Sequence, residues 1–289
     1  MNVIEVKNFK KYFGKTKAVD DISFSVQKGE IFGFLGPNGA GKTTTIRSMM
    51  DFIRPTGGHI TILGKDAQKD SVELKRRIGY LSGELRLYKK WTGHDHINFV
   101  KNIHGGEVVA KEISERFDFD PSLKVKSLSS GNRQKLGIVM AFMTQPELLI
   151  MDEPTNALDP LLQNEMYELI EEVTRQGTTV FMSSHNLAEV DRVCSRVAII
   201  KQGKIVATES IKNLKEKRLY TITAYFKDAF NKNDFVFDGV NIKKEISGGL
   251  ILSAKGDINP LVMKLGQHTL RDLRIEHASL EDIFLEFYE

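Results

Sequence analysis

The run Gly36-Pro37-Asn38-Gly39-Ala40-Gly41-Lys42-Thr43 narrows more than any other what this chain can fold into. It fits G-x-x-x-x-G-K-[ST], a pattern with meaning only between a strand and a helix. Both flanks agree. Ile31-Phe32-Gly33-Phe34-Leu35 is apolar on both faces, as a central strand of a covered sheet must be, and a helix is predicted from Lys42. Glycines let the backbone curl until its N–H groups point inward at an anion. The new helix places its partial positive end behind the same anion. Lys42 offers a full positive charge to β- and γ-phosphates and Thr43 a hydroxyl to Mg²⁺. Gly36 to Thr44 is therefore the predicted triphosphate cradle.

A second apolar strand, Leu148 to Met151, runs into Asp152-Glu153-Pro154. Asp152 is the expected Mg²⁺ partner, directly or through water, and Glu153 the acceptor of a proton from attacking water. Alone, an Asp-Glu pair after a strand reads as a helix cap or a solvated turn; beside a full phosphate loop it reads as chemistry. After Pro160, the spacing of Leu162, Met166, Leu169, Ile170 and Val173 predicts an amphipathic helix, stopped by Gly177. Thr178 to Met182 reads as a strand ending before Ser183-Ser184-His185. Val197 to Ile200 is another, and Gln202-Gly203 turns it into a hairpin with Lys204 to Ala207. Ile4, Val6 and Ile22, Phe24, Val26 alternate like half-buried strands. Strands alternating with helices predict an α/β fold with its chemistry at the strand carboxyl ends. Gly83 to Phe142, rich in charge and poor in strand patterns, reads as a helical insertion. Beyond Ile211 the texture changes to a small α+β appendage, with strands at Tyr220–Phe226 and Leu250–Ser253 and helices at Pro260–Gly266 and Leu280–Phe287.

Composition removes other classes. With 41 Lys+Arg against 38 Asp+Glu the net charge is +3, no footprint for a nucleic-acid partner. The 41% hydrophobic content excludes a disordered chain. No apolar run approaches the roughly 18 residues of a membrane span. The start, Met1 to Val6, has no leader pattern. Cys194, the one cysteine, allows no internal disulfide and suits a reducing cytoplasm; it reads as a small buried residue. Trp91-Thr92-Gly93-His94-Asp95-His96, with His104 beyond, holds two close histidines without further ligands at metal spacing, and reads as a polar helix start.

Leu128-Ser129-Ser130-Gly131-Asn132-Arg133-Gln134-Lys135 resembles the LSGGQ signature of ATP-binding cassette (ABC) proteins, departing at Ser130 and Asn132. Phosphate loop, signature, Asp152-Glu153, Ala157-Leu158-Asp159 and His185 follow one another in the family's order. The resemblance covers about residues 1 to 210. It implies a P-loop NTPase core of ABC type, residues 1–211, with an antiparallel β subdomain and a helical insertion at about 83–142, and a C-terminal domain at 212–289. It implies a head-to-tail pair of nucleotide-binding domains, a homodimer or a pair with a paralogue. Each ATP would lie between one phosphate loop and the other copy's Ser129 and Gly131. Residue by residue, Tyr12 matches the aromatic that stacks on adenine and Glu153 the general base. Asp159 matches the acid of the segment linking the two sites, and His185 the switch histidine at the γ-phosphate. Gly83 stands where the family has a metal-coupled Gln. Glu84 beside it is the other candidate for Mg²⁺, directly or through water, with a solvated loop acid as the alternative.

The ending Ala278-Ser279-Leu280-Glu281-Asp282-Ile283-Phe284-Leu285 is similar to the tail of separate-chain ATPases of bacterial drug- and polysaccharide-type exporters. This implies a cytoplasmic ATPase, peripheral on the inner membrane face, that drives a separate transmembrane permease. The alternatives are a soluble non-transport ABC ATPase and a regulatory cassette with weak hydrolysis.

Overall fold

The computed structural model describes residues 1–104, 109–216 and 219–277, and its backbone divides into two compact units, Met1–Glu209 and Ser210–Glu289. The first unit opens with two long strands, β1 (Asn2–Phe13) and β2 (Thr16–Gln27), paired antiparallel. Gly14, at φ 58°, makes the tight return between them. β3 (Ile31–Leu35) is buried at all five positions and leads through the glycine loop into α1 (Lys42–Met49). β4 (Gly57–Ile62) and β5 (Lys65–Asp66) complete an antiparallel sheet of order β2-β1-β4-β5. Then come α2 (Ser71–Lys75) and β6 (Ile78–Leu81).

The described residues that follow form α3 (Gly93–His104), α4 (Ala110–Arg116) and α5 (Ser130–Phe142), the helical insertion. α3 begins as a polar helix start should. Thr92 Oγ1 donates to Asp95 Oδ2 at 2.8 Å and accepts from the Asp95 N–H at 3.1 Å. His96 uses both ring nitrogens in local hydrogen bonds, with Thr92 O and the Tyr88 N–H. Among the described residues no group of three or more His, Cys, Asp or Glu is arranged to hold a metal.

β7 (Leu148–Asp152), α6 (Pro160–Arg175), β8 (Thr179–Ser184), α7 (Leu187–Val193), β9 (Arg196–Lys201) and β10 (Lys204–Ser210) complete the unit. The central sheet has the order β10-β9-β3-β8-β7-β6, with its five strands from β9 to β6 parallel. β8 continues beyond Met182 through Ser183 and Ser184, because Leu35 and Ser184 pair in register and hold the strand to the end of β3. Phe24 of β2 stacks on Phe32, Phe34 and Phe181 at centroid distances of 5.8, 5.3 and 5.9 Å, joining the two sheets across one core. Gly33 has a packing reason of its own: a Cβ there would lie 3.0 Å from Cys194 Sγ and 3.1 Å from Val190 Cγ1, so its absence seats α7 on the sheet. The Cys194 thiol is buried in this contact, and burial pushes its pKa up.

The second unit starts with α8 (Ile211–Glu216) and builds an antiparallel sheet of order β12-β13-β11-β14. Its strands are β11 (Leu219–Phe226), β12 (Val240–Ile246), β13 (Gly249–Lys255) and β14 (Leu270–His277), with α9 (Asn259–Leu265) before the last. Ile222, Ala224, Leu250 and Leu252 share a core with Phe235, Leu261 and Leu265. The expected tail helix at Leu280–Phe287 and the 278–285 motif lie outside the described residues.

Candidate active site

Three neighbouring parallel strands deliver the chemistry. β3 pairs with β8, and β8 with β7, so Leu35, Ser184 and Asp152 end side by side. The Gly36 N–H donates to Ser184 O at 3.1 Å, binding the start of the phosphate loop to the neighbouring strand end. A Cβ on Gly36 would sit 2.3 Å from Ile200 O, so only glycine lets the loop lie this close to β9. Gly39 and Gly41 take φ of 80° and 111°. Gly41 is the N-cap of α1 and has no side chain to cover the helix's first N–H groups, which leaves them to an anion.

Lys42 is buried at 6% exposure. Its ammonium donates to Gly36 O at 2.6 Å and Pro37 O at 3.2 Å, and lies 3.2 Å from Glu153 Oε1. Thr43 Oγ1 donates to Asp152 Oδ2 at 2.8 Å, while Ser183 Oγ donates to Oδ1 of the same carboxylate at 2.6 Å. Glu153 leaves the strand in the left-handed region, φ 53°. Its N–H donates to Ser183. Its carboxylate lies between Lys42 and His185, whose Nδ1 is 2.7 Å from Oε2. Lys42, Thr43, Asp152, Glu153 and His185 thus form one contact group.

The remaining predicted residues lie in other contacts. Ser129 is the N-cap of α5, accepting from the Asn132 N–H at 3.2 Å. The Cβ position of Gly131 is 3.1 Å from Ala157 O. Asp159 caps α6, its Oδ1 accepting from the Leu161 and Leu162 N–H groups at 3.0 Å each. The loop that starts at Glu153 meets Gly131 through Ala157 O and then runs into Asp159. Tyr12 donates its phenol O–H to Asp20 Oδ1, and the Lys17 ammonium stands 5.5 Å from its ring centroid. The Tyr12 hydrogen bond, with Lys17, holds the Asp20 carboxyl below the usual range; the same bond raises the phenol. Gly83 lies against Asp152: a Cβ there would be 3.1 Å from its carbonyl oxygen and 3.3 Å from Oδ2. Glu84 is turned to Arg86 at 3.6 Å and Arg47 at 4.0 Å.

The structure adds partners that the motif reading missed. Ser183 holds Asp152. Gln134 of the signature helix donates to Pro154 O at 2.8 Å. Glu189 accepts from Thr155 Oγ1 at 2.6 Å and from Ser184 Oγ. The sequence signals for these are thin: two serines before a histidine, a Thr two positions after Glu153, an acid four after His185.

The ABC transporter family profile matches residues 19–156. The ABC transporter ATP-binding protein YhcH of Bacillus subtilis is 33% identical over 293 residues, 98% of this chain and 95% of that protein. The chain belongs to the ABC transporter ATP-binding proteins. The bacitracin transport ATP-binding protein BcrA of Bacillus licheniformis is also 33% identical, over 98% of this chain and 96% of its own length. The linearmycin resistance ATP-binding protein LnrL of Bacillus subtilis is 38% identical over 71% of this chain and 68% of its own. A solved ATP-binding subunit of an ABC transporter superposes with a TM-score of 0.69 at 28% identity, over 74% of this chain and 92% of that one. This ABC protein is an ATP-binding, ATP-hydrolysing transporter subunit. No helix among its described residues is long and apolar enough to cross a membrane.

Proposed function

We propose that residues 1–211 form one of two cassettes that close on ATP and Mg²⁺ and drive a separate transmembrane exporter at the cytoplasmic membrane face, with residues 212–289 as an appendage. The observation that carries this reading is the contact group in which Lys42, Thr43 and His185 converge on the adjacent carboxylates Asp152 and Glu153. Glu153 accepts the proton of the attacking water. His185 and Lys42 hold that carboxylate from two sides, and His185 reaches on toward the γ-phosphate. Lys42 and the bare N-terminus of α1 bind the β- and γ-oxygens. Thr43 and Asp152 are hard oxygen donors on adjoining atoms, which fits Mg²⁺; bound there, the ion neutralises charge on the phosphate oxygens. Gly83, packed directly against Asp152, brings no side-chain ligand to the ion. Tyr12, steadied by Asp20, gives adenine a π-face.

Ser129 and Gly131 stand at the start of α5, where N–H groups and helix dipole suit the γ-phosphate of ATP held by the other cassette. For the permease, a cleft of about 560 Å³ lined by the apolar Leu85, Leu87 and Val125 together with the basic Arg86, Lys89, Lys126 and Arg133 suits a partly acidic cytoplasmic loop. Export is favoured by relatives named for bacitracin transport and linearmycin resistance.

The test is Glu153→Gln with ATP and Mg²⁺, followed by light scattering and phosphate release. Hydrolysis is lost and a dimer accumulates. A protein that stays monomeric at saturating nucleotide overturns the two-cassette reading. Co-purification with a protein of several apolar spans, rather than with ribosomes or nucleic acid, supports the transport role.

A further inference from the structure

Glu189 is 2% exposed, and no cation is among the hydrogen-bond partners of its carboxylate. Oε1 accepts from Thr155 Oγ1 at 2.6 Å, and Oε2 from Ser184 Oγ. Burial drives its pKa up, against the two hydroxyl bonds, which lower it. A buried carboxylate without a cation is costly, and an apolar side chain of similar volume would fill the space at less expense. The two donors account for its presence. Thr155 is two residues beyond Glu153, and Ser184 is the residue before His185. One carboxylate therefore ties the segment carrying Glu153 to the segment carrying its histidine partner.

The segment beyond Glu153 needs holding. Glu153 and Ala157 both have left-handed φ, 53° and 64°, conformations that residues with a Cβ keep only when their surroundings impose them. Gln134 fixes one side through Pro154 O, and Glu189 fixes the other through Thr155.

We propose that Glu189 is a positioning residue for ATP hydrolysis, bridging Thr155 and Ser184 so that the Glu153 carboxylate and the His185 ring keep their mutual geometry. This rests on the role given to Glu153 above. It predicts a loss in kcat without a loss in nucleotide affinity, since the bridge runs through the Thr155 and Ser184 hydroxyls, whereas Ser184 holds the phosphate loop through its backbone carbonyl, which accepts from the Gly36 N–H whatever the Ser184 side chain does.

The experiment uses the full chain with ATP and Mg²⁺, reading phosphate release and, separately, affinity for a fluorescent ATP analogue. Glu189→Ala lowers kcat by about tenfold or more and leaves analogue affinity within about twofold. Glu189→Gln restores most of the loss, because its amide can accept from Thr155 and donate to Ser184. Thr155→Val breaks the bridge from its other end, keeps the protein folded if Glu189→Ala does not, and lowers kcat in the same way. The double variant costs no more than the worse single one. The proposal is overturned by an unchanged kcat in both Glu189→Ala and Thr155→Val, by affinity falling in step with rate, or by a Gln variant as slow as the Ala variant. Full activity in Glu153→Gln would instead remove the reading on which the proposal rests.

Discussion

The Lys42 ammonium lies 3.2 Å from the Glu153 carboxylate, with the two side chains only 6% and 14% exposed. The phosphate loop is thereby tied to the end of β7 by an ion pair inside the site. The same carboxylate is held by His185, so the loop lysine contributes to the orientation of the proton acceptor. Lys42→Ala removes the charge aimed at phosphate and leaves Glu153 with His185 as its remaining side-chain partner. ATP affinity is expected to fall at least about tenfold. Stability is expected to fall by less than the roughly 3–5 kcal/mol of a buried pair broken outright, because His185 remains. Nucleotide titration and urea unfolding of the same samples check both.

Ser183 presents a separate prediction. Its hydroxyl donates to Asp152 Oδ1 at 2.6 Å, and Asp152 is 3% exposed. Ser183→Ala takes a donor from a buried carboxylate, at a cost of about 1–3 kcal/mol. The freed carboxylate also turns more easily about its bond to Cβ, so the Mg²⁺ concentration at half-maximal hydrolysis is expected to rise. A Mg²⁺ titration of phosphate release measures this, and an unchanged midpoint would confine Ser183 to a structural part.

The contact group around Lys42 was legible because its residues sit in motifs whose spacing the strand ends enforce. Gly36, Asp152 and His185 are far apart in sequence, yet a parallel sheet brings the carboxyl ends of β3, β7 and β8 together. Ser183 and Ser184 were less legible. β8 is buried at every position, so no alternation of polarity marks which way a side chain faces. β4, β12 and β14 gave little sequence signal for a different reason. Glycines and a histidine open β4, and Lys243, Lys244 and Glu245 interrupt β12, which lies at a sheet edge where charged side chains reach water. Glu189 could not be foreseen, since an acid on a short helix ordinarily faces solvent.

At the opposite end of the central sheet, Arg77 and Glu147 make a two-pronged pair, Nε to Oε1 at 2.6 Å and Nη2 to Oε2 at 2.8 Å. The Arg77 guanidinium holds the Glu147 carboxyl below its ordinary 4.5. A carboxyl with a depressed folded pKa adds stability above its unfolded value and loses it as pH falls through the folded one. The stability difference between wild type and Glu147→Gln is therefore expected to be constant above about pH 5 and to shrink below pH 4.5. Glu147 is 58% exposed, so solvent screening limits the difference to about 1 kcal/mol or less. Urea unfolding at pH 7 and pH 4 gives both values, and a difference that grew on acidification would contradict the assigned direction.

Arg116 of α4 carries the contact with α6 in a similar way but against three acids. Its guanidinium lies 3.1 Å from Glu165, 3.8 Å from Glu168 and 2.8 Å from Glu172. Those carboxylates follow one another at three- and four-residue spacing, on one helix face, where like charges repel. Arg116→Ala leaves the row uncompensated as well as removing the three contacts. Stability at low salt is expected to drop by about 1–2 kcal/mol, and the drop to become smaller at 1 M salt, where the screening length is about 3 Å. The arginine side chain is only 26% exposed, and its partly buried stem adds a salt-independent part. Urea midpoints of wild type and variant at the two salt concentrations separate the contributions: equal losses at both would assign the whole effect to packing.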